Sequence, residues 1–418
     1  MIHTKTLSKS NPTDLLKRAI GIASCYGFDN IDKVITQEKK WTSDMKEKSD
    51  KEELLNTKKA PVQNVRQKCI KQSTKTCNTD SAGDEALCAL KTAIDNGLLP
   101  CEHPLLIHQS NVVNNLKEKK LHFGLVAVGM KKSIAEALII KTATAILEDM
   151  GIDNIQVCIN SIGDKDSSSK FVTELNSYFR KNINSVPSQI RQTIKKDIFK
   201  AYDQLHRGYS SGEEEIPQPI KFLSDSNRKH LSEVLEYMET GDVPYEIDNF
   251  LVGSNECYSQ TLFEIRHMQE SEAEDISVLA KGGRCDELVK RMFNVDIPTV
   301  SLVFEFEKKN IKEKELFALK RTRKPKVYFI QLGPEAKRRS LPIIDILRKS
   351  NIHTQHSLDS DKLADQLSFA QYFKVPYAII MGHREALDGT VIVRDMNTQF
   401  QHTVLTDDLP QYLKDMHV

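Results

Sequence analysis

The 418-residue sequence lacks the features that mark several large classes of protein. Its eight cysteines form no CxxC pair, and we expect no metal site. Scattered thiols favour a reducing compartment over a disulfide framework. No apolar run approaches the roughly 18 residues that span a bilayer, and no apolar signal segment is evident. We therefore expect a cytoplasmic protein with no membrane partner.

Charge and aromatic content are also limited. The 59 basic and 58 acidic residues nearly cancel, which excludes the uniformly basic surface of a histone-like protein, and we expect no DNA partner. From 38 to 78 the chain is rich in Lys, Glu, Ser, Thr and Gln, with one Trp and no Phe or Tyr. Such a segment buries too little apolar surface to offset its ordering entropy, which predicts a mobile insertion.

The patterns of strands and helices predict two domains. Successive strands in YEIDNFLV, YSQTLFEIRHM and IPTVSLVFEFE, with helices before and after them, indicate an α+β domain over residues 1–308. Its expected core is an antiparallel sheet with flanking helices. A basic linker over 309–324 leads to residues 325–418, where strands and helices alternate. That alternation predicts a compact α/β domain with a largely parallel sheet.

Several local motifs occur in an order and at distances that resemble the class II histidyl-tRNA synthetase family over nearly the whole chain. The resemblance implies a class II aminoacyl-tRNA synthetase-like antiparallel sheet and a C-terminal anticodon-binding-type α/β domain. It also implies a homodimer and a tRNA partner, with a histidine tRNA as the candidate. The motifs are LLKRAIGIASCYGFDNI, HFGLVAVG, SIAEALIIKTA, INSIGD, YEIDNFLV, TLFEI, GGRCDELV, QLGPEA, FAQYF, YAIIMG and GTVIVRDMNT.

The first departure from the family concerns a phenylalanine-arginine-x-glutamate motif and the basic loop after it. The matching stretch NVVNNLKEKKLHFG has neither that arginine nor that glutamate. The charge of that arginine is replaced only in part by Lys117, Lys119, Lys120 and His122, because these side chains lack the planar guanidinium of arginine.

The second departure lies in the histidine-binding signature. The chain reads GSNECYSQ from Gly253, so the family's catalytic arginine falls on Gly253. Loss of a cation at the reacting phosphate costs about 3–4 kcal/mol of transition-state stabilisation. Of the substrate pocket, the resemblance leaves Glu256, Tyr258 and Ser259.

The third departure lies in the family's adenine-binding motif. The glycine that allows adenine to approach falls on Glu305, and the arginine that stacks on adenine falls on Lys308. We interpret Gly253, Glu305 and Lys308 as degenerate ATP-site positions. No cofactor is therefore expected, and ATP with Mg²⁺ would be needed only by an active ligase.

The pair Gly282-Gly283 with Arg284 is retained from the family's glycine-rich substrate loop. Two interpretations stay open for it. The three residues belong to a vestigial pocket for a small polar ligand, or the glycines only permit a tight strand-to-helix turn.

A local positive patch surrounds the start of the second domain. Phosphate contacts need such charge, although a solvated helix face has the same composition. The resemblance favours RNA. The candidate RNA-binding residues are Arg321, Arg323, Lys324, Lys337 and Arg338.

Three functions compete. The first is a catalytically degenerate histidyl-tRNA synthetase-like protein that binds tRNA or a partner in translation. The second is an active, divergent histidine–tRNA ligase. The third is the family's paralogue that regulates ATP phosphoribosyltransferase, which typically lacks the anticodon-binding domain that this chain has.

Overall fold

A computed structural model of the chain describes residues 12–37, 81–99, 103–114, 119–208, 216–253, 257–268, 277–307, 325–416 and 418. The predicted insertion 38–78 and the predicted linker 309–324 both lie outside these ranges. In the described part, no helix combines the length and apolar character that crossing a bilayer requires.

An eight-stranded sheet forms the centre of the first part of the chain. Its strand order is β1-β2-β3-β8-β7-β6-β4-β5, and the neighbours from β2 to β4 are all antiparallel. Only the two outer pairs, β1 with β2 and β4 with β5, are parallel. The predicted antiparallel sheet is confirmed. The strands are β1 Asp29–Asn30, β2 Leu105–Asn114, β3 Lys119–Val128, β4 Ile155–Gly163, β5 Tyr245–Ile247, β6 Gln260–His267, β7 Ser277–Arg284 and β8 Thr299–Glu307.

One predicted strand is much shorter than expected. The apolar pattern of YEIDNFLV indicated a strand over the whole motif, but β5 ends at Ile247. The side chain of Asp248 then accepts a hydrogen bond from the backbone N–H of Phe250 at 3.0 Å. An aspartate that bonds two residues ahead forms a local turn, which competes with strand pairing.

Helices cover both faces of this sheet. Phe123 and Leu125 of β3 point into the main core with helices α1 and α3. Because successive strand residues alternate in direction, Val126 points to the second face, where it packs with Ala89 and Leu90 of α2. The helices are α1 Pro12–Cys25, α2 Ser81–Asp95 and α3 Ile134–Asp149, and residues 31–37 are also helical.

A charged helical region follows β4, as the sequence indicated. Asp164 caps its first helix by accepting a hydrogen bond from the N–H of Ser167 at 2.9 Å. The helices pack through aromatic rings, with Phe171 in edge contact with Tyr202. The elements are α4 Lys165–Lys181, α5 Ser188–Ile194, α6 Ile198–Gly208, a 3₁₀ turn Pro219–Phe222 and α7 Asp225–Thr240, and α8 Asp286–Phe293 follows β7.

The second sheet has five strands in the order β10-β9-β11-β12-β13. The expectation of a largely parallel sheet is wrong for half of its strand pairs. Strands β10 and β11 each pair with β9 in parallel, whereas β12 pairs antiparallel with both β11 and β13. The connections on either side of β12 are too short for a parallel crossover, which needs about a dozen residues. The elements are β9 Val327–Gln331, α9 Pro334–Lys349, β10 Thr354–His356, α10 Leu363–Tyr372, β11 Tyr377–Met381, α11 His383–Asp388, β12 Thr390–Asp395, β13 Gln401–Leu405 and α12 Leu409–Asp415.

Helix α9 joins the two sheets through a buried polar cluster. The hydroxyl of Tyr26, next to the end of α1, donates to Asp345 Oδ1 at 2.7 Å, and Arg348 Nε donates to the same oxygen at 2.8 Å. Burial acts to raise the pKa of Asp345, but Lys141, Tyr26 and Arg348 outweigh it and lower the pKa to about 2. Arg348 also contacts Glu148 of α3 at 2.9 Å. The second sheet therefore lies against the α1–α3 layer of the first.

Candidate functional site

The ring of Tyr258 lies between two glycines at the centre of the altered histidine-binding signature. A Cβ atom on Gly253 would lie 2.7 Å from Cδ2 of this ring, and one on Gly283 would lie 2.6 Å from Cδ1. Gly253 also has a φ of +59°, which L side chains rarely adopt. An arginine side chain at Gly253 is therefore incompatible with the position of Tyr258.

An open cleft of about 710 Å³ borders Tyr258 and Ser259. The backbone N–H of Ser259 donates to the carbonyl of Arg284 at 2.8 Å, whereas its buried hydroxyl has no hydrogen-bond partner among the described residues. Glu256, assigned to the same pocket, lies outside those residues. Hydroxyls and charges of both signs line the cleft, which suits a small polar ligand. Its other walls are Gly163, Asp164, Lys165, Ser168, Ser169, Val172, Thr173, Glu287, Lys290 and Arg291.

Glu305, at the position that the resemblance assigns to adenine binding, forms a hydrogen bond with another side chain of the chain. It lies on β8 directly opposite His122 of β3. The hydroxyl of Ser81 donates to Glu305 Oε1 at 2.6 Å. Ser81 begins α2, and the positive end of a helix dipole favours a carboxylate there. Lys308, Lys117 and the side chains of Lys119 and Lys120 lie outside the described part of the chain.

A second carboxylate, which sequence reasoning missed, is buried on the same face. Both Gln109 and Asn111 of β2 donate hydrogen bonds to Glu85 of α2, with Asn111 Nδ2 at 2.8 Å from Oε2. His122 Nδ1 lies 3.9 Å from Oε1. Gly124 leaves the space for this side chain, because a Cβ there would lie 3.1 Å from Glu85 Cγ. The available signal in the sequence was the polar run HQSN, in which Gln109 and Asn111 are two residues apart and so point to the same face of the strand.

Among the described side chains, this face of the sheet therefore has an acidic composition, with Glu85 and Glu305 on either side of His122. Within the described ranges, no group of three His, Cys, Asp or Glu side chains is arranged to hold a metal ion.

Arg284 points away from the cleft, into a buried cluster centred on Glu136 of α3. Its Nε and Nη2 donate to the two carboxylate oxygens at 2.8 and 2.7 Å, and both side chains are at most 1% exposed. Thr261 and His230 also contact Oε1, each at 2.7 Å. The structure therefore separates Arg284 from Tyr258 and places it among packing residues.

The pKa shifts of this pair follow from their contact. Burial acts to raise the pKa of Glu136, but the charges and hydrogen bonds of Arg284 and His230 outweigh it and hold the pKa far below its usual range. Burial likewise acts against the charge of Arg284, and Glu136 outweighs that and raises the pKa of the guanidinium. Both groups are therefore charged near neutral pH.

The glycine pair lies within strand β7 and not in a turn. A Cβ atom on Gly282 would lie 2.2 Å from the carbonyl oxygen of Ser301 on β8. Gly283 makes room for Tyr258, as described above. The two glycines therefore serve close packing against a neighbouring strand and against a ring.

Most of the candidate RNA-binding charges are paired or outside the described residues. Lys337 is buried and forms an ion pair with Asp361, which also contacts Lys132. Arg338 is exposed but lies 3.4 Å from Glu236 and 3.6 Å from Glu335. Arg321, Arg323 and Lys324 lie outside the described part. Only Arg338 among the described candidates is therefore accessible.

An exposed surface on the antiparallel half of the second sheet was not foreseen from the sequence. Four of the five residues of the edge strand β13 are exposed, and Arg394 of β12 is the register partner of its Gln401. Phe400, in the turn before β13, is 72% exposed, and Leu405 is 54% exposed. This β12–β13 surface offers an aromatic ring, a guanidinium and unpaired strand edge groups.

Comparison with known proteins agrees with these observations. Residues 326–416 match the family described as "Anticodon binding domain". The histidine–tRNA ligase of Caldicellulosiruptor bescii is 26% identical over 294 residues, which cover 70% of this chain and 69% of that protein. These matches support a class II histidyl-tRNA synthetase-like family for the chain.

Solved structures of the family also match. Apo histidyl-tRNA synthetase from Staphylococcus aureus has a TM-score of 0.44 and 18% identity, covering 78% of this chain and 81% of that one. A Bacillus halodurans protein described as an ATP phosphoribosyltransferase regulatory subunit/histidyl-tRNA synthetase has a TM-score of 0.36 and 14% identity, covering 71% and 78% of the two chains.

We predict that Gly253→Ala lowers the melting temperature by several degrees. The added Cβ must displace Tyr258 and adopt a positive φ, which together cost about 1–3 kcal/mol. Gly21→Ala is the matched control, because nothing lies within 4 Å of a Cβ there and α1 accepts alanine. Equal melting temperatures for both variants, measured by differential scanning fluorimetry, would contradict the packing of Tyr258.

A second prediction concerns the buried ion pair. Glu136→Gln leaves the guanidinium of Arg284 buried without its counter-charge, which costs about 3–5 kcal/mol of stability. Glu174→Gln, on an exposed position of α4, should change stability by less than about 0.5 kcal/mol. Denaturant unfolding of both variants measures the difference. A loss below about 1 kcal/mol for Glu136→Gln would show that the pair contributes little.

Proposed function

We propose that this chain is a catalytically degenerate histidyl-tRNA synthetase-like protein that binds tRNA, with a histidine tRNA as the first candidate, or a partner in translation. The observation that carries the proposal is the ring of Tyr258 in the space that a side chain at Gly253 would need. Catalysis by this family requires a cation beside the reacting phosphate, and this position cannot supply it.

The acidic face of the sheet supports the same conclusion. ATP binding needs positive charge near the phosphates and a free surface near adenine. Here Glu305 is held by Ser81, and Glu85 lies buried beside His122 on the same face. Accordingly, no ATP or Mg²⁺ is proposed as a cofactor.

The second domain supports RNA binding. Residues 326–416 match the anticodon binding domain family, and the matched relatives are named as histidine–tRNA ligases. The β12–β13 surface offers one group that could hold an unstacked base, the exposed ring of Phe400, beside the partly buried Arg394. We further propose a cytoplasmic homodimer, as the family resemblance implies.

Two alternative functions remain. An active histidine–tRNA ligase would need a cation from residues outside the described part, such as Lys117 or Lys308, to take the place of the missing arginine. A regulatory subunit of ATP phosphoribosyltransferase would not need the second domain. The presence of that domain favours the tRNA-binding proposal.

We expect histidine-dependent ATP–pyrophosphate exchange by the full-length protein to stay at background, because Gly253 supplies no cation to the phosphate and Glu305 replaces the glycine of the adenine-binding motif. Gly253→Arg should not restore exchange, since Tyr258 and Glu305 remain. An active histidine–tRNA ligase assayed alongside sets the positive signal. Exchange above background by the unmodified protein would establish the ligase alternative.

We also expect salt-dependent binding of tRNA by the full-length protein. Each phosphate contact should contribute roughly 0.7–0.9 to the slope of log K against log salt. Charge reversal of Arg321, Arg323 and Lys324 should flatten that slope for all RNAs alike, because phosphate contacts carry no sequence information.

A matched pair of variants tests the β12–β13 surface in the same filter-binding assay. Phe400→Ala should weaken tRNA binding about five- to fiftyfold with the salt slope unchanged, as expected for loss of one stacked base. Met268→Ala removes an apolar side chain that is 44% exposed, directly after β6 in the first part of the chain, and should have no effect. Equal affinity for tRNA and for a scrambled RNA of the same length would favour a protein partner instead.

A further inference from the structure

The outer edge of the second sheet is the longest sheet edge in the described part of the chain. Strand β13 has five residues, and β12 is its only strand neighbour among the described residues. The other three sheet edges are short, with two residues in β1 and three each in β5 and β10. Natural proteins keep sheet edges short because an open edge pairs readily with another strand. The β13 edge therefore has the most room for an added strand.

The hydrogen bonds between β12 and β13 determine which backbone groups of β13 face outward. The N–H of Thr406 donates to the carbonyl of Gly389, and the N–H of Asp395 donates to the carbonyl of Phe400, each at 3.0 Å. Hydrogen-bonded positions alternate along an antiparallel pair, so every second residue of β13 directs its N–H and C=O groups away from β12. These residues are Gln401, Thr403 and Leu405.

This edge carries none of the features that usually prevent strand pairing. From Phe400 to Thr406 the chain has no Lys, Arg, Asp, Glu or Pro. The register of β12 with β13 runs without a bulge. Charges, prolines and bulges are the usual protection of natural edges. Instead, Phe400 is 72% exposed and Leu405 is 54% exposed, so apolar surface accompanies the open edge.

A second copy of the same strand fits this edge by symmetry. With a twofold axis at Thr403, this residue lies opposite Thr403 of the second copy, and Gln401 lies opposite Leu405. All three face outward, so each of these pairs can exchange two backbone hydrogen bonds. A shift by one residue would place outward-facing residues opposite inward-facing ones and lose the bonds. Opposed threonines are also a favourable cross-strand pair.

The side chains beyond the strand do not oppose this register. Asp407 would lie opposite Gln399 of the second copy, and Phe400 opposite Thr406, so no like charges meet. Because the strand itself is uncharged, it does not select a charged peptide over its own copy. A pair of five-residue strands buries less than the roughly 1,200 Å² of stable interfaces, so we expect weak, concentration-dependent association.

We propose that β13 pairs antiparallel with β13 of a second copy of this chain, about a twofold axis at Thr403, and so joins two five-stranded sheets into one. The contact is isologous, with the same surface on both sides. Phe400 lies at its end and cannot face Thr406 of the second copy while it stacks on a base. Pairing and tRNA bound at Phe400 therefore exclude each other, and this second part rests on the proposed function.

A disulfide at the twofold axis tests the pairing in the full chain. Opposed residues of a hydrogen-bonded antiparallel pair have Cα atoms about 5.5 Å apart, which lies within the range of about 4.4–6.8 Å for disulfides. Thr403→Cys should therefore give covalent dimers on mild oxidation with diamide. Mass spectrometry should find position 403 joined to position 403, which distinguishes this link from the native thiols. Absence of that link would overturn the proposal.

The register has its own control on the same strand. Position 401 lies opposite position 405, so two copies of Gln401→Cys hold their thiols about four residues, or roughly 13 Å, apart. Gln401→Cys alone should give no covalent dimer, whereas a mixture of Gln401→Cys and Leu405→Cys chains should. Equal crosslinking of Gln401→Cys alone and of Thr403→Cys would indicate random collision and overturn the register.

Sedimentation of chains without new thiols gives an independent readout. Between about 1 and 200 μM the unmodified chain should show one association step that Thr403→Lys weakens about tenfold, because two ammonium groups would then lie opposite each other. Thr240→Lys, at the exposed end of α7, adds the same charge elsewhere and should associate as the unmodified chain does. Equal association of both variants would contradict the pairing.

Addition of tRNA separates this inference from the proposed function. Saturating tRNA should lower the yield of the disulfide in Thr403→Cys severalfold. If tRNA binds and the yield stays unchanged, the exclusion is overturned. If the chain binds no tRNA but forms the disulfide at position 403, the proposed function fails and the pairing is supported.

Discussion

The carboxylate of Glu136 connects more of the structure than any other polar group described above. It accepts hydrogen bonds from Arg284 on β7, Thr261 on β6 and His230 on α7, while its own helix α3 packs on the sheet. Four elements are thus held by one buried charge, and all of its partners are needed to offset its desolvation. The register of β7 follows from this cluster, because Arg284 must reach α3 from the end of the strand.

The other face of β7 packs against Tyr258 and the polar cleft. With Arg284 turned toward α3, Gly283 faces Tyr258 and Gly282 approaches the backbone of β8. Tyr258 then takes the volume next to Gly253, and the open space that remains is the polar cleft beside Ser259. Packing that stabilises the sheet therefore also closes the position of the catalytic arginine.

The second sheet depends on a different contact, the hydrogen bond from Tyr26 to Asp345 and the charges around it. This cluster brings α9 against the α1–α3 layer. At the other end of the sheet, β13 is the edge strand and four of its five residues are exposed. The surface proposed for RNA lies on residues that match the anticodon binding domain family.

Much of the fold was readable from local sequence. Hydrophobic periodicity identified α3 and the charged helices, and the run of strands before residue 308 indicated an antiparallel sheet. Both patterns are local, because each is formed by residues close together in the sequence. The parallel sheet was overestimated, since strand direction depends on how long each connection is. The end of β5 was missed because Asp248 forms a turn that the apolar pattern does not reveal.

The candidate site was readable only in part. The resemblance to the family's motifs identified Gly253, Tyr258, Glu305 and Arg284 as candidate site positions. Only the tertiary structure decided that Arg284 points to Glu136, that Lys337 is buried beside Asp361 and that Glu85 joins Glu305 on one face. The physical reason is that burial and ion pairing depend on residues distant in sequence, such as Glu136 and Arg284, which no local pattern brings together.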